Sequence, residues 1–430
     1  MNKKKVTKLG AGQNLGQTHG VLPLVLGLFV PQSRSNWITL SFQMRISVVT
    51  QMAWDDDYGA ATALRRLLIR VRLLPGSKAS FLVLSPFSSK ESSPEIALFR
   101  SSFPMAYNFV GGPKGIVVNL WNWILEHSGG IKWSPSSEEI SALEKSDVIH
   151  LNSISLIWLA RKLKGVPELS HIPIVCHIRE HANTQFRPPT LNYIDGLIFI
   201  DPLVQESLYR ICSTARDKSF IVLPDPGPTS KRVKESSTRN PENFNVAVIG
   251  RLDPMKGMKF ACEVFEQVQD PNWKLSFVGT SSRNPFRLAV KKESRAIEQA
   301  SQLSDGKIEH LGHIAGLSES GFYSETDVIM RCEPFPAPGL TVYEGLAYGC
   351  YVILPGSAMD YEALERIEQN RRNVFFAEPR SVDSYLEALN RAYKKKLQDL
   401  PLGEIPQPEA LDYAEESERY LDFMRSLTND

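Results

Sequence analysis

Residues 244–257 read Phe-Asn-Val-Ala-Val-Ile-Gly-Arg-Leu-Asp-Pro-Met-Lys-Gly. An apolar strand carrying Val246, Val248 and Ile249 stops at Gly250. A loop then brings Arg251 and Lys256 to Met258–Val268, an apolar-periodic segment that reads as a helix. A strand, a glycine, a basic loop and a helix together make a cradle for phosphate. Loop amides and the positive end of the helix attract an anion, and two side-chain cations add charge. The stretch carries neither a Walker-type phosphate loop nor the triple-glycine dinucleotide fingerprint.

Working outward, the same alternation of strand and helix recurs on both sides, which predicts parallel sheets. Upstream, strands are predicted at Ile46–Thr50, Ser80–Leu84, Val148–Leu151, Ile174–Ile178, Leu197–Ile200 and Phe220–Leu223. Helices are predicted at Ala60–Val71, Ile154–Lys162 and Leu203–Ile211, and residues 85–145 are less regular. Downstream, strands follow at Trp273–Val278, Ile308–Leu311, Asp327–Met330 and Tyr351–Leu354, with helices at Leu340–Ala347 and Val382–Lys395. Between the two series lies Pro224-Asp-Pro-Gly-Pro228, then a polar run in which Val233 is the only large apolar residue. The expected division is a first Rossmann-like domain at 44–228, a linker at 229–243, a second Rossmann-like domain at 244–400, and a C-terminal helix within 401–430 packing back toward the first domain. Residues 1–43 are read as an extension, disordered or a product of start-site choice, because the first convincing strand begins at Met44. Lys3–Lys5 and Val21–Val30 outline a signal peptide only superficially, and Pro23 and Gly27 interrupt an apolar stretch far shorter than the roughly 20 residues of a span.

Composition bounds the function. The chain has 430 residues, 42% apolar and 23% charged, the usual make-up of a globular protein. A net charge of +1 gives no basis for a nucleic-acid partner. The five cysteines are scattered, with no CxxC pair, so neither a zinc site nor a disulfide framework is suggested and a reducing cytoplasm fits.

A second motif stands at 333–349: Glu-Pro-Phe-Pro-Ala-Pro-Gly-Leu-Thr-Val-Tyr-Glu-Gly-Leu-Ala-Tyr-Gly. Gly339, Leu340 and Thr341 would present amides at a helix start, suited to phosphate. Glu344, one turn further on, can accept two hydrogen bonds from a ribose diol. Taken with Gly-Arg-Leu…Lys-Gly at 250–257, this resembles the retaining glycosyltransferases of family four, the GT-B type of glycosyl transferases group 1. Glu344 matches the second of that family's paired glutamates. The first matches Glu333 only if Pro336-Ala337-Pro338 is an insertion, since the family's pair stands closer together. The resemblance implies a GT-B fold, two Rossmann-like domains facing a cleft. It also implies that Gly59, Gly250, Arg251, Lys256, His313, Gly339, Leu340, Thr341 and Glu344 bind the donor. Arg251, Lys256, Glu333, His177 and Arg179 are the expected catalytic group.

The first domain is less decided. Asp55-Asp56-Asp57-Tyr58-Gly59-Ala60-Ala61 follows a strand and opens a helix. Family members often have two glycines there, and this chain keeps one. The aspartates read as a helix cap or acceptor contact rather than a metal site, although an Asp-x-Asp pattern is present. Ile174-Val-Cys-His-Ile-Arg-Glu-His181 ends a strand where ligands bind in open parallel sheets, so His177, Arg179, Glu180 and His181 are candidates facing the cleft. A polar cluster capping the next turn explains the same residues. His150 reads as structural as readily as catalytic.

The resemblance implies sugar transfer from a nucleotide-diphosphate-sugar to a glycan or lipid-linked glycan, with no cofactor and no metal. Its setting would be cell-surface polysaccharide synthesis, in the cytoplasm or at the inner face of its membrane. A nucleotide-sugar epimerase and a catalytically degenerate partner protein remain open. Arg65, Arg66, Arg70 and Arg72 beside Leu64, Leu67 and Leu68 would suit peripheral membrane contact, but a core helix with a solvated basic face explains the same residues and is the preferred reading.

Overall fold

The computed structural model describes residues 43–51, 59–87, 96–103, 133–179, 191–228, 242–252, 254–280, 287–336, 339–361, 373–399 and 414–428. All of them lie in one compact unit, Phe42–Asp430. Residues 1–42, most of the expected linker, and Asp57, Tyr58, Glu180 and His181 fall outside the described residues.

In chain order the elements are β1 (Arg45–Val49), α1 (Gly59–Leu73), β2 (Ser80–Ser85), β3 (Ile96–Arg100), α2 (Ser137–Leu143), β4 (Val148–Leu151), α3 (Ile157–Lys164), β5 (Ile174–Ile178), β6 (Gly196–Phe199), α4 (Pro202–Ile211) and β7 (Ser219–Val222). Next come β8 (Phe244–Ile249), α5 (Met258–Phe265), β9 (Trp273–Val278), α6 (Arg287–Leu303), β10 (Ile308–Gly312), α7 (Phe322–Glu325), β11 (Val328–Met330), α8 (Leu340–Ala347), β12 (Tyr351–Pro355), β13 (Val374–Ala377), α9 (Val382–Asp399) and α10 (Ala414–Ser426).

The strands form two all-parallel sheets, ordered β3-β2-β1-β4-β5-β6-β7 and β10-β9-β8-β11-β12-β13. Both orders reverse direction after a first strand. The reversal opens a crevice beyond the carboxyl ends of β1 and β4 in one sheet, and of β8 and β11 in the other. Strands such as β4, β5, β6, β11 and β12 are buried along their whole length, as parallel strands covered on both faces must be. In the second sheet Met258, Phe260, Val264, Leu389 and Ala392 cover one face, while Val342, Tyr343, Leu346 and Tyr323 cover the other. In the first, Leu156, Leu159, Leu163 and Leu208 lie on one side and Leu64, Leu67, Leu68 and Val71 on the other.

The last helix, α10, packs beside α1 on the first sheet, burying Tyr420, Leu421 and Met424. Gly196 in β6 permits this approach, since a Cβ there would stand 2.8 Å from the ring of Phe423. Arg419 adds a hydrogen bond to the Val222 carbonyl at 3.0 Å.

Several elements went unread in the sequence. The stretch 85–145 contains β3 and α2, and α2 is opened by a capping box between Ser136 and Glu139. The edge strand β3 is only partly buried and so lacks a continuous apolar run. The segment expected to be one helix from Ile154 begins with a 3-10 turn, Ile154–Leu156, capped by Ser153, and turns α-helical only at Ile157.

Candidate active site

The carboxyl edge of β8 and β11 gathers charge. After β8, Gly250 leaves room for Lys256, whose Cδ would lie 3.3 Å from a Cβ at that position. Lys256 closes a 3-10 turn, Pro254–Lys256, and Gly257 follows at φ 68°. A Cβ on Gly257 would meet the Cys332 carbonyl oxygen at 1.9 Å, so only glycine lets this loop lie against the strand end. Folded this way, Lys256 Nζ reaches Glu333 Oε1 at 3.0 Å.

Glu333 is also held by a residue the sequence reading passed over. Arg331 Nε donates to Glu333 Oε2 at 3.0 Å, and its Nη2 bonds Oε1. Arg331 Nη1 donates to Thr341 Oγ1 at 2.8 Å, and the Arg331 carbonyl accepts from Tyr385 Oη at 2.7 Å. Glu333 thus stands just past the end of β11, bound to both Lys256 and Arg331. Burial opposes ionisation of Glu333, yet Arg331 and Lys256 together hold its carboxyl below its ordinary value. Lys256 is drawn down first by burial and then by Arg331, with Arg251 adding to the effect and Glu333 resisting it. Among the described residues two cations thus share the Glu333 carboxylate, the Arg251 charge acts on Lys256, and the Lys256 side chain remains 29% exposed. That imbalance suits an incoming anion. A cation directly after a wholly buried strand was the available sequence signal for Arg331.

The two helix ends at this edge differ. Glu293 of α6 accepts from the Lys259 amide at 2.8 Å, so a carboxylate of the protein already sits at the start of α5. This changes the expectation that the helix after Lys256 offers its positive end to phosphate. Helix α8 begins at Gly339 with no side-chain cap, and Leu340 and Thr341 are partly exposed there. Glu344, one turn in, is buried; its Oε2 accepts from Tyr323 Oη at 2.5 Å, and its Oε1 lies 2.7 Å from Arg66 Nη2 of α1. His313 follows Gly312 at the end of β10 and is exposed.

At the corresponding edge of the first sheet the polar groups close on one another. His150 and His177 are fully buried and stacked with ring centroids 5.5 Å apart. His150 Nδ1 meets Tyr420 Oη at 2.9 Å, a contact supplied by α10. Arg179 donates to Asn152 Oδ1 at 3.1 Å, contacts His177 Nδ1 at 3.2 Å and forms an ion pair with Asp225. Burial, reinforced by the nearby Arg179 charge, lowers the His150 pKa to about 3 and drives that of His177 well down too. Both rings are therefore neutral at pH 7. Gly59, the first residue of α1, is exposed, and a Cβ there would touch nothing within 4 Å.

Neither reading of the arginines of α1 describes Arg66 and Arg70. Arg66 is 9% exposed and donates to Ser318 Oγ at 2.9 Å besides pairing with Glu344. Arg70 donates to the Gly227 carbonyl at 2.7 Å. Both cations bond to groups of the protein, because they fall three and seven residues along the helix stripe that begins at buried Ala63.

Residues 230–405 match the family model for glycosyl transferases group 1. No curated protein matches the chain in sequence. Among solved structures, the sucrose-phosphate synthase (tll1590) from Thermosynechococcus elongatus superposes with a TM-score of 0.63 at 15% identity, over 90% of this chain and 99% of that one. The Anabaena protein HepE in complex with UDP-glucose gives 0.60 at 15% identity, over 89% and 100%. The lipopolysaccharide outer core galactosyltransferase WaaB gives 0.55 at 13%, over 89% and 99%. Residues 230–405 therefore belong to the glycosyl transferases group 1 family, and the chain around them has the GT-B fold.

Proposed function

We propose that the protein transfers a sugar from a nucleoside-diphosphate sugar to a hydroxyl of a glycan or lipid-linked glycan. The half bearing the second sheet (244–400) would hold the donor and the half bearing the first (44–228) the acceptor. The observation that carries this reading is the pair Lys256 and Arg331 on the Glu333 carboxylate, with the Arg251 charge acting on Lys256, beside the uncapped start of α8 and at the strand-order reversal of the second sheet. A diphosphate leaving group gains negative charge as its bond to the anomeric carbon lengthens. Arg251, Lys256 and the amides of Gly339, Leu340 and Thr341 are placed to meet it, and fixed donors act most strongly on charge that develops in the transition state. Cations of this kind supply what a metal supplies in other transferases, so the scheme includes none. The similar Anabaena protein was captured with UDP-glucose, which supports a nucleotide sugar as donor.

Retention follows in this scheme from attack on the face that the diphosphate leaves. The acceptor oxygen bonds the anomeric carbon as the bond to the phosphate oxygen breaks, and that oxygen takes the acceptor's proton. His177 and Arg179 belong to the acceptor-side edge, where their closed network would set the shape of the wall. Synthesis of cell-surface polysaccharide is the proposed setting, in the cytoplasm, with lipid-linked acceptors met at the inner membrane face. No helix among the described residues is long and apolar enough to cross a membrane.

The test is a thermal-shift and calorimetric screen of UDP-, GDP-, ADP- and dTDP-sugars on the wild type and on Arg251→Ala. One donor should stabilise the wild type and bind Arg251→Ala about tenfold or more weakly, the loss of a hydrogen bond to a charged group. Failure of every donor to bind at millimolar concentration would overturn the reading, and equal binding by Arg251→Ala would remove the phosphate assignment.

A further inference from the structure

Glu344 is assigned to the second half's site, yet the cation that balances it comes from the first. Arg66 Nη2 lies 2.7 Å from Glu344 Oε1, and the two side chains are 10% and 7% exposed. The same guanidinium donates to Ser318 Oγ at 2.9 Å and approaches the Pro226 carbonyl at 3.5 Å. Arg70, one turn on, binds the Gly227 and Pro228 carbonyls at 2.7 and 3.2 Å. Helix α1 thus grips the chain just before it passes to the second half and, through Arg66, the carboxylate one turn into α8. Tyr323 Oη completes the set on Glu344 Oε2 at 2.5 Å, and Tyr323 is itself locked by stacking on Tyr348 at 5.3 Å.

A buried carboxylate holds its charge and its direction only if its partners supply both. Tyr323 supplies one neutral donor, while Arg66 supplies the charge. Each carboxylate oxygen keeps a further lone pair after these bonds, so the group can still accept two hydroxyls.

We propose that Arg66 is a positioning residue for nucleotide recognition: reaching across from the first half, it keeps the Glu344 carboxylate aimed for the ribose diol of the donor. This rests on the nucleotide-sugar reading above and adds that the ribose site is complete only with α1 in place. Arg66 then governs discrimination of ribose from deoxyribose without touching the nucleotide.

The experiment compares UDP with 2′-deoxy-UDP by calorimetry on wild type, Arg66→Gln, Arg66→Lys, Glu344→Gln and the Arg66→Gln/Glu344→Gln double variant, each checked for folding by circular dichroism. If the screen above identifies another base, the ribose and deoxyribose forms of that nucleoside diphosphate replace the pair. The wild type should prefer the ribose form about tenfold, one hydrogen bond to a charged group. Arg66→Gln should lose most of that preference by weakening the ribose form alone, and Arg66→Lys should restore part of it. In the Glu344→Gln background the Arg66 exchange should change nothing further. The inference is overturned if Arg66→Gln weakens both nucleotides equally, leaves the preference intact or tightens the ribose form. It is also overturned if Arg66→Gln acts as strongly without Glu344. If Arg66→Gln does not fold, the double variant, from which both buried charges are gone, and Arg66→Lys carry the same comparison. A wild type that binds no nucleoside diphosphate is a different result, which removes the function proposed above.

Discussion

The two sheets present like edges and use them differently. Beyond β4 and β5, Arg179 is spent on Asp225, Asn152 and His177, and its side chain is 6% exposed. Beyond β8 and β11, Lys256 shares Glu333 with Arg331 and stays 29% exposed. Among the described residues the first edge pairs its cation with a carboxylate of its own, while at the second two cations share Glu333. Parallel strand ends in a Rossmann-like sheet are thus not equivalent sites. What separates them is whether the carboxylates present suffice to neutralise the cations.

If this contrast is right, the second edge depends on backbone approach and the first on side-chain pairing. Gly257→Ala should then produce the largest effect. A Cβ 1.9 Å from the Cys332 carbonyl, at φ 68°, forces the loop off the strand end. A loss of about 4 kcal/mol is expected in urea unfolding, or insoluble protein. A loss below 1 kcal/mol would mean the loop has another place to lie.

Arg179→Met comes next, at about 3 kcal/mol, because Asp225 is left buried without its cation. Arg251→Met, at a half-buried residue of the second edge, should cost less stability than Arg179→Met while weakening nucleotide binding. Reversal of the pair, with Arg251 the stabilising residue, would break the comparison.

The sealed histidines predict a pH dependence. Unfolded, each titrates near 6.5; folded, His150 titrates near 3 and His177 also well below its ordinary value. Between those values the unfolded chain binds protons that the folded protein refuses, so stability is complete above pH 6.5 and falls as pH drops toward 3. From pH 6.5 to 5 His150 should remove about 2 kcal/mol, seen as a shift of the urea midpoint, and His177 should act in the same direction. A His150→Gln/His177→Gln protein should show a correspondingly shallower slope.

A smaller effect than that of the histidines is expected for Tyr420→Phe. It leaves His150 Nδ1 without its partner and should cost about 1 kcal/mol. No change would mean that α10 contributes packing alone to this edge.

Most of the sheet architecture was legible because a strand buried on both faces must be apolar throughout. Val148–Leu151 and Ile174–Ile178, buried throughout, are legible at their observed limits, as is Trp273–Val278, where buried residues alternate with exposed Lys274 and half-buried Ser276. Edge strand β3 was not, since half-exposed residues carry no such mark. Within the site, Arg251, Lys256, Glu333 and Glu344 were legible from glycine spacing and motif. Arg331, Arg66, Glu293, Tyr323 and Tyr420 were not, although each holds or replaces a group that was.

Sequence by itself determined the alternation of elements, the parallel sheets and the glycines that let basic loops approach strand ends. These depend on neighbours in the chain, through periodicity and backbone freedom. Which charges neutralise one another was decided only by the tertiary structure. Glu293 closes the end of α5 from 34 residues away in sequence, and Tyr420 and Arg66 reach His150 and Glu344 across 270 and 278 residues. A charge's partner is set by distance in space, and only the packed sheets fix that distance.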